Sequence, residues 1–192
     1  MKDKVFNIVI NPNGASGTAQ TIFKKIEPLL IKNNIKYIVH TSSISEGISS
    51  ICSRLTKLNE DIYLVLIGGD GSLNEAVNGI VNFEKTYVGF IPCGSGNDFA
   101  RSINLPQKLD ELVSIIFKGE VKRTCDIGEV TMHNFSEEFR KLPDVKDNQF
   151  KRKFNVSTGI GFDAEICQKT HVTQVKPFLN KIRLGKLSYL FE

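Results

Sequence analysis

The chain lacks tryptophan altogether and has only two methionines, three histidines and four cysteines. Nowhere does it run to the roughly eighteen consecutive apolar residues that a membrane-spanning helix requires, so any membrane contact is expected to be peripheral. Cys52, Cys93, Cys125 and Cys167 are widely spaced and form no C-x-x-C pair. That excludes the dense disulfide framework of a small secreted fold and points to a reducing, cytoplasmic compartment. Met1-Lys2-Asp3-Lys4 leads straight into a strand-like run, without the apolar stretch of a signal peptide. His40, His133 and His171 stand apart, with no metal-ligand partners at helical spacing, and are assigned structural roles.

Charge of one sign is also scarce. The net charge is only +4, and residues 1–120 are balanced at 12 basic and 12 acidic side chains, while residues 121–192 hold 13 and 9. This is well below the density that nucleic-acid binders concentrate on one face, so no nucleic-acid partner is expected. A mild basic excess suits a nucleotide or an anionic membrane surface, and an ordinary solvated surface equally.

What is present is an alternation. Short β-branched runs at Val5 to Ile10, Tyr37 to Val39, Ile62 to Ile67 and Tyr87 to Ile91 read as buried strands. Between and after them, Ile22, Ile26, Leu29 and Leu30, then Ile48, Ile51, Cys52, Leu55 and Leu58, then Leu109, Leu112, Val113 and Ile116 fall at helical spacing. Strand and helix in turn predict a parallel sheet, because each parallel crossover needs a helix-length connection. Beyond about residue 120 the rhythm changes. Val121 to Met132 and Phe150 to Ser157 read as an antiparallel strand pair, joined by a charged loop with Glu137, Glu138, Arg140 and Lys141. Gly161 to Glu192 reads as two helical pieces broken near Pro177. The expected domains are therefore residues 1–120, an α/β nucleotide-binding domain, and residues 121–192, the first part of an incomplete β-rich domain.

Three strands run into side-chain-poor turns. Ile62 to Ile67 is followed by Gly68-Gly69-Asp70-Gly71-Ser72 and then Leu73-Asn74-Glu75; Tyr87 to Ile91 by Pro92-Cys93-Gly94-Ser95-Gly96-Asn97-Asp98-Phe99-Ala100-Arg101; the first strand by Asn11-Pro12-Asn13-Gly14-Ala15-Ser16-Gly17. Glycine lets a backbone approach a ligand closely, and the free amides at a helix start favour phosphate oxygens. At the carboxyl ends of adjacent parallel strands, such loops form one ligand edge. Asp70 within the cradle would repel phosphate unless a divalent cation lay between them, although it or Ser72 could equally be a helix cap. Neither the P-loop pattern ending in Gly-Lys-Ser/Thr nor the G-x-G-x-x-G spacing occurs.

Taken together, Asn11-Pro12 with Gly14 and Gly17, Gly68 to Glu75, Pro92 to Arg101, Asp126-Ile127-Gly128 and Gly159 to Asp163 resemble the diacylglycerol kinase catalytic family, which includes bacterial lipid kinases and sphingosine kinases. The matches run from residue 11 to about residue 165, with Ser72 and Ser95 where threonine is more usual. The resemblance implies a three-layer α/β nucleotide-binding domain followed by a β-sandwich, incomplete here, and ATP in the cleft. It implies nucleotide contacts at Asn11, Thr41, Gly68, Gly69, Asp70, Gly71, Ser72, Leu73, Asn74, Gly94, Ser95, Gly96 and Asn97, and Mg²⁺ on Asp70, Asp98 and Asp126. The family's catalytic base belongs to a Gly-Asp-Gly-Glu-like segment that is absent from these 192 residues, so weak or absent kinase activity is expected of them. Phe99, Phe135, Phe139 and Phe150 could line an acyl groove, though core packing is the simpler assignment. Lys151-Arg152-Lys153 could meet anionic headgroups at a membrane surface, and a homodimer is allowed. The rival expectations are an NAD kinase, which shares the Gly-Gly-Asp-Gly turn, and a nucleotide-binding module without catalysis.

Overall fold

The computed structural model describes residues 4–12, 17–133, 145–146, 149–161 and 164–165. Along the chain run β1 (Val5–Ile10), α1 (Thr18–Lys32), β2 (Lys36–Thr41), α2 (Ile48–Thr56), β3 (Ile62–Gly68), α3 (Asp70–Gly79), β4 (Thr86–Pro92), α4 (Asp98–Ser102), α5 (Leu109–Ile116), β5 (Gly128–His133), β6 (Val145–Lys146) and β7 (Gln149–Phe154). The first four strands form a parallel sheet in the order β2-β1-β3-β4, and the other three an antiparallel sheet in the order β5-β7-β6.

The parallel sheet follows from its side-chain alternation. Phe6, Ile8 and Ile10 of β1 with Val65 and Ile67 of β3 face α1 and α5, where Ile26, Leu30, Leu112 and Val113 close one core. Val9, Leu64 and Leu66 face the opposite way, onto Ile48, Ile51, Leu73, Ala76 and Val77 of α2 and α3. Strands covered on both faces lose the apolar/polar alternation and become near-continuous apolar runs, as β3 does and as β1 does apart from buried Asn7. Burying one such side chain contributes about 1.5–3 kcal/mol, against about 1 kcal/mol net for a hydrogen bond. Packing of the two faces therefore fixes the sheet, and the loops at its edge take conformations dictated by other needs. On the second face the helices meet closely: a Cβ on Gly79 would lie 2.2 Å from the Ser49 carbonyl oxygen of α2.

Two sequence expectations are corrected. Val121 to Met132 does not form one strand; residues 121–127 have no regular structure, and β5 begins only at Gly128. Val121 and Ile127 stay exposed, so the run has neither a ladder partner nor an apolar face to bury. Asp98 to Arg101, expected within the turn, close with Ser102 into the short helix α4. The antiparallel pairing of β5 with β7 is as expected, from Gly128 opposite Phe154 to His133 opposite Gln149. Glu137, Glu138, Arg140, Lys141, Phe135, Phe139, Asp163, Cys167, His171 and the segment broken at Pro177 lie outside the described residues.

Candidate functional site

Because β1 to β4 are parallel, the turns that follow them share one sheet edge. Asn11 and Pro12 leave β1, half-buried; Gly17 caps α1 at φ 83°; Gly14 lies outside the described residues. Thr41 ends β2 beside Ile10 and is exposed. The β3 and β4 turns are fused. The Cys93 amide donates to Gly68 O at 2.9 Å, one rung past the ladder. A Cβ on Gly94 would lie 2.8 Å from Gly69 Cα, and one on Gly69 3.2 Å from Gly94 Cα. Both positions are glycine because the loops pack backbone against backbone. Gly68 is equally constrained, since a Cβ there would meet Ser72 Cβ at 2.6 Å.

Gly71 has no such reason. It lies in the first turn of α3, exposed, with φ outside the positive region and no atom within 4 Å of where a Cβ would be. Among its neighbours, Ser72 is buried and Leu73 packs into the core while its amide donates to Gly69 O at 3.0 Å. Leu73 thus anchors the helix start rather than presenting a side chain at the edge.

Asp70 has a structural task that its sequence position left open. Its Oδ2 accepts from the Asp98 amide at 3.0 Å and its Oδ1 from the Phe99 amide at 3.2 Å. The carboxylate therefore caps α4 from the first residue of α3, satisfying amides that no i−4 carbonyl reaches and facing the positive helix end. The turn before α4 is closed by Asn97, which sits at φ 53° and accepts from the Gly94 amide through Oδ1 at 2.9 Å. Arg101 bonds both Gly96 O and Asp98 Oδ1. Ser95 is exposed at the loop tip. Around Gly96, Asp98 Oδ2 and Asp70 Oδ2 stand 3.1 and 3.2 Å from the position of a Cβ.

The expected Asp70, Asp98 and Asp126 set is not brought together. Among the described residues no three His, Cys, Asp or Glu side chains are grouped to hold a metal. Asp70 is engaged by two amides, Asp98 by Arg101, and Asp126 stands exposed on the irregular run before β5. The Mg²⁺ and water network that the resemblance implies on these three aspartates would therefore have to reach them through water rather than through three carboxylates in direct contact. A cation held by one or two carboxylates and otherwise by phosphate oxygens and water remains compatible with the Asp70 and Asp98 pair.

Asn74 points its amide away from the edge, donating to Lys153 O of β7 at 3.0 Å. Asn78, which the sequence did not single out, joins it there. Asn74 and Asn78 are one helical turn apart, off the face that buries Leu73, Ala76 and Val77, and the sequence alone names no partner for such a pair. His40, assigned a structural role, has its Nε2 3.0 Å from Asn7 Oδ1, and its pKa is lowered by burial and then by Arg54, against an opposing pull from Glu46. Cys93, inside the second turn, is pushed up to about 11 by burial. Burial thus disfavours the thiolate form that a nucleophile would need.

Beside the edge a groove of about 1020 Å³ runs between β4, α3, the approach to α5 and β7, with Phe83, Phe90, Phe99, Leu105 and Ile127 on its walls and Asp126 and Lys153 among its polar groups. Phe99 meets Phe90 edge-on at 6.2 Å, so it serves the core and the groove at once.

The fold and this edge define a doubly wound α/β protein of the kind that takes its ligand across the carboxyl ends of parallel strands. Comparison with known proteins narrows the class. The profile of the diacylglycerol kinase catalytic domain matches residues 6–130. The chain is 32% identical over 132 residues to the diacylglycerol kinase of Staphylococcus carnosus (strain TM300), covering 67% of this chain and 42% of that one. It is 30% identical over 121 residues to sphingosine kinase B of Dictyostelium discoideum, covering 60% and 16%. A crystal structure of a diacylglycerol kinase from Bacillus anthracis str. Sterne superposes with a TM-score of 0.49 at 25% identity, covering 68% of this chain and 46% of that one. The chain belongs to the diacylglycerol kinase catalytic family. It spans about half the length, or less, of the curated relatives it matches.

Proposed function

We propose that this chain is the nucleotide-holding part of an ATP-dependent lipid kinase, which moves the terminal phosphoryl group of ATP to the hydroxyl of diacylglycerol or a similar lipid. The observation that carries this reading is Gly71. Glycine within a helix costs about 0.5–1 kcal/mol relative to alanine, and neither a positive φ nor a neighbouring atom accounts for it here. A group from outside the chain that must approach the backbone does. Next to it, the first amides of α3 lack intrahelical partners and carry the positive end of the dipole, which suits the oxygens of a triphosphate.

In this reading Gly71, Gly94, Ser95 and Gly96 admit the phosphates, while Asn11 and Thr41 at the neighbouring strand ends meet the rest of the nucleotide. Asp70 and Asp98 are the residues that would hold a magnesium ion here, and such an ion would supply the positive charge that lets phosphate lie near Asp70. Phosphoryl transfer asks mainly for an in-line hydroxyl and neutralised phosphate charge; these loops serve the second need. The lipid would arrive from a membrane surface, with Lys151 exposed on β7 toward anionic headgroups. Among the described residues no helix is long and apolar enough to cross a membrane. Binding without catalysis is the second reading, favoured by the engagement of Asp70 with two backbone amides and of Asp98 with Arg101.

The test is a titration of the 192-residue chain with Mg²⁺-ATP, followed by phosphorylation assays offering diacylglycerol, sphingosine and NAD side by side. Shifts at the amides of Gly69 to Ser72 and Gly94 to Asn97 are expected. Unmoved amides defeat the nucleotide site; product from NAD alone defeats the lipid assignment; binding without any product selects the non-catalytic reading.

A further inference from the structure

The helix that opens with the candidate phosphate loop is tied to the second sheet by two side-chain amides. Asn78 donates from Nδ2 to Lys153 O at 2.9 Å and accepts the Lys153 amide on Oδ1 at 2.9 Å. That closed pair of bonds is what a neighbouring strand would give. Among the described residues β6 pairs with β7 at Gln149 and Phe150, and the Lys153 N–H and C=O are met by Asn78. Asn74 adds a second donor to the same carbonyl at 3.0 Å and accepts from Arg152 Nη2 at 3.3 Å. Asn78 Nδ2 also reaches Asn74 O at 2.8 Å, and the Lys153 ammonium lies 5.3 Å from the centre of the Phe83 ring.

Apolar packing tolerates sliding, whereas a carboxamide paired with one residue's N–H and C=O sets a register. Aspartate would lack the donor, and glutamine would carry the amide one methylene too far. We propose that Asn78, with Asn74, is a positioning pair that registers the second sheet against α3, so that a ligand held at the first turn of α3 is felt at Lys153 in β7. Neither side chain needs to touch that ligand. The coupling rests on the nucleotide reading above, but the clamp itself does not.

The test compares wild type with Asn78→Ala and Asn78→Asp in the 192-residue chain, using hydrogen exchange at the Lys153 amide with and without Mg²⁺-ATP. Without nucleotide, Asn78→Ala should exchange at Lys153 at least tenfold faster, while Asn78→Asp, which keeps the acceptor, should recover part of the protection. With Mg²⁺-ATP, exchange at Lys153 should slow in wild type and not in Asn78→Ala. Should Asn78→Ala not fold, Asn78→Asp and Asn74→Ala carry the comparison, each with a smaller gain in exchange. Equal exchange in all variants overturns the clamp; a nucleotide that binds yet leaves Lys153 exchange unchanged in wild type overturns the coupling. A wild type that binds no ATP refutes the proposed function, and the nucleotide-free comparison still decides the clamp.

Discussion

Gly71→Ala separates stability from binding at a single atom. The site is helical, exposed and clear of neighbours within 4 Å, so the added methyl meets no strain in the free protein. Relative to alanine, glycine in the middle of a helix costs about 0.5–1 kcal/mol, an upper bound for the second residue of α3, and for a chain of this size each kcal/mol is worth roughly 2–4 °C in Tm. The variant should therefore melt higher without nucleotide, by up to about 4 °C. If a phosphate approaches the backbone at this point, the same methyl forces it away at about 1–3 kcal/mol, the usual cost of overpacking, and the Kd for Mg²⁺-ATP rises roughly 5- to 150-fold. Scanning fluorimetry without ligand and titration calorimetry with Mg²⁺-ATP read the two quantities independently. Gly47→Ala is the control, because Gly47 is likewise clear of neighbours but starts α2, and its affinity should match wild type. A more stable Gly71→Ala protein that binds Mg²⁺-ATP as tightly as wild type would refute the reasoning.

The two aspartate roles separate in metal-free buffer. As a cap on α4, Asp70→Ala should lower stability by about 1–2 kcal/mol, read as a lower urea midpoint; a carboxylate kept only for a cation would leave that midpoint unchanged or raise it. Gly94→Ala pushes a methyl to 2.8 Å from Gly69 Cα and should destabilise by about 1–3 kcal/mol, with the β3 and β4 turns losing exchange protection together. Maleimide at neutral pH should label exposed Cys125 well before buried Cys52 or half-buried Cys93, whose thiols are pushed up to about 12 and about 11; faster labelling of Cys93 would show that its loop is open. His40 has its pKa lowered in the fold, so its contribution is present above about 6.5 and is lost as pH falls through the lower folded value. Acidification below pH 6.5 should reduce the wild-type urea midpoint more than that of His40→Gln.

Legibility in the sequence tracked how local the deciding physics was. β1 and β3 could be read from their residues because burial on both faces demands near-continuous apolar runs, and α5 because Leu109, Leu112, Val113 and Ile116 repeat at the helical period. β2 was read short, as Tyr37 to Val39, although it spans Lys36–Thr41. At the sheet edge the hydrogen bonds of β1, rather than side-chain character, carry the strand outward to Lys36 and Thr41. Val121 to Met132 failed for the converse reason: β-branched residues specify a strand only where a ladder awaits them.

The glycine-rich turns were visible in sequence, but the purpose of each glycine was not, because composition cannot distinguish a glycine that yields to a neighbouring loop from one that yields to a ligand. Gly69 and Gly94 make room for each other, and Gly68 makes room for Ser72. Subtracting those internal reasons leaves Gly71, so three-dimensional contact narrows a five-residue motif to one diagnostic position. Asp70 shows the same limit from the other side. A carboxylate in a phosphate cradle argues for a cation only if nothing else neutralises it, and the amides of Asp98 and Phe99, twenty-eight and twenty-nine residues along the chain, already share that task. Any metal at this edge has to compete with the helix start for the same oxygens, so the order in which cation and nucleotide bind should depend on how firmly α4 is held.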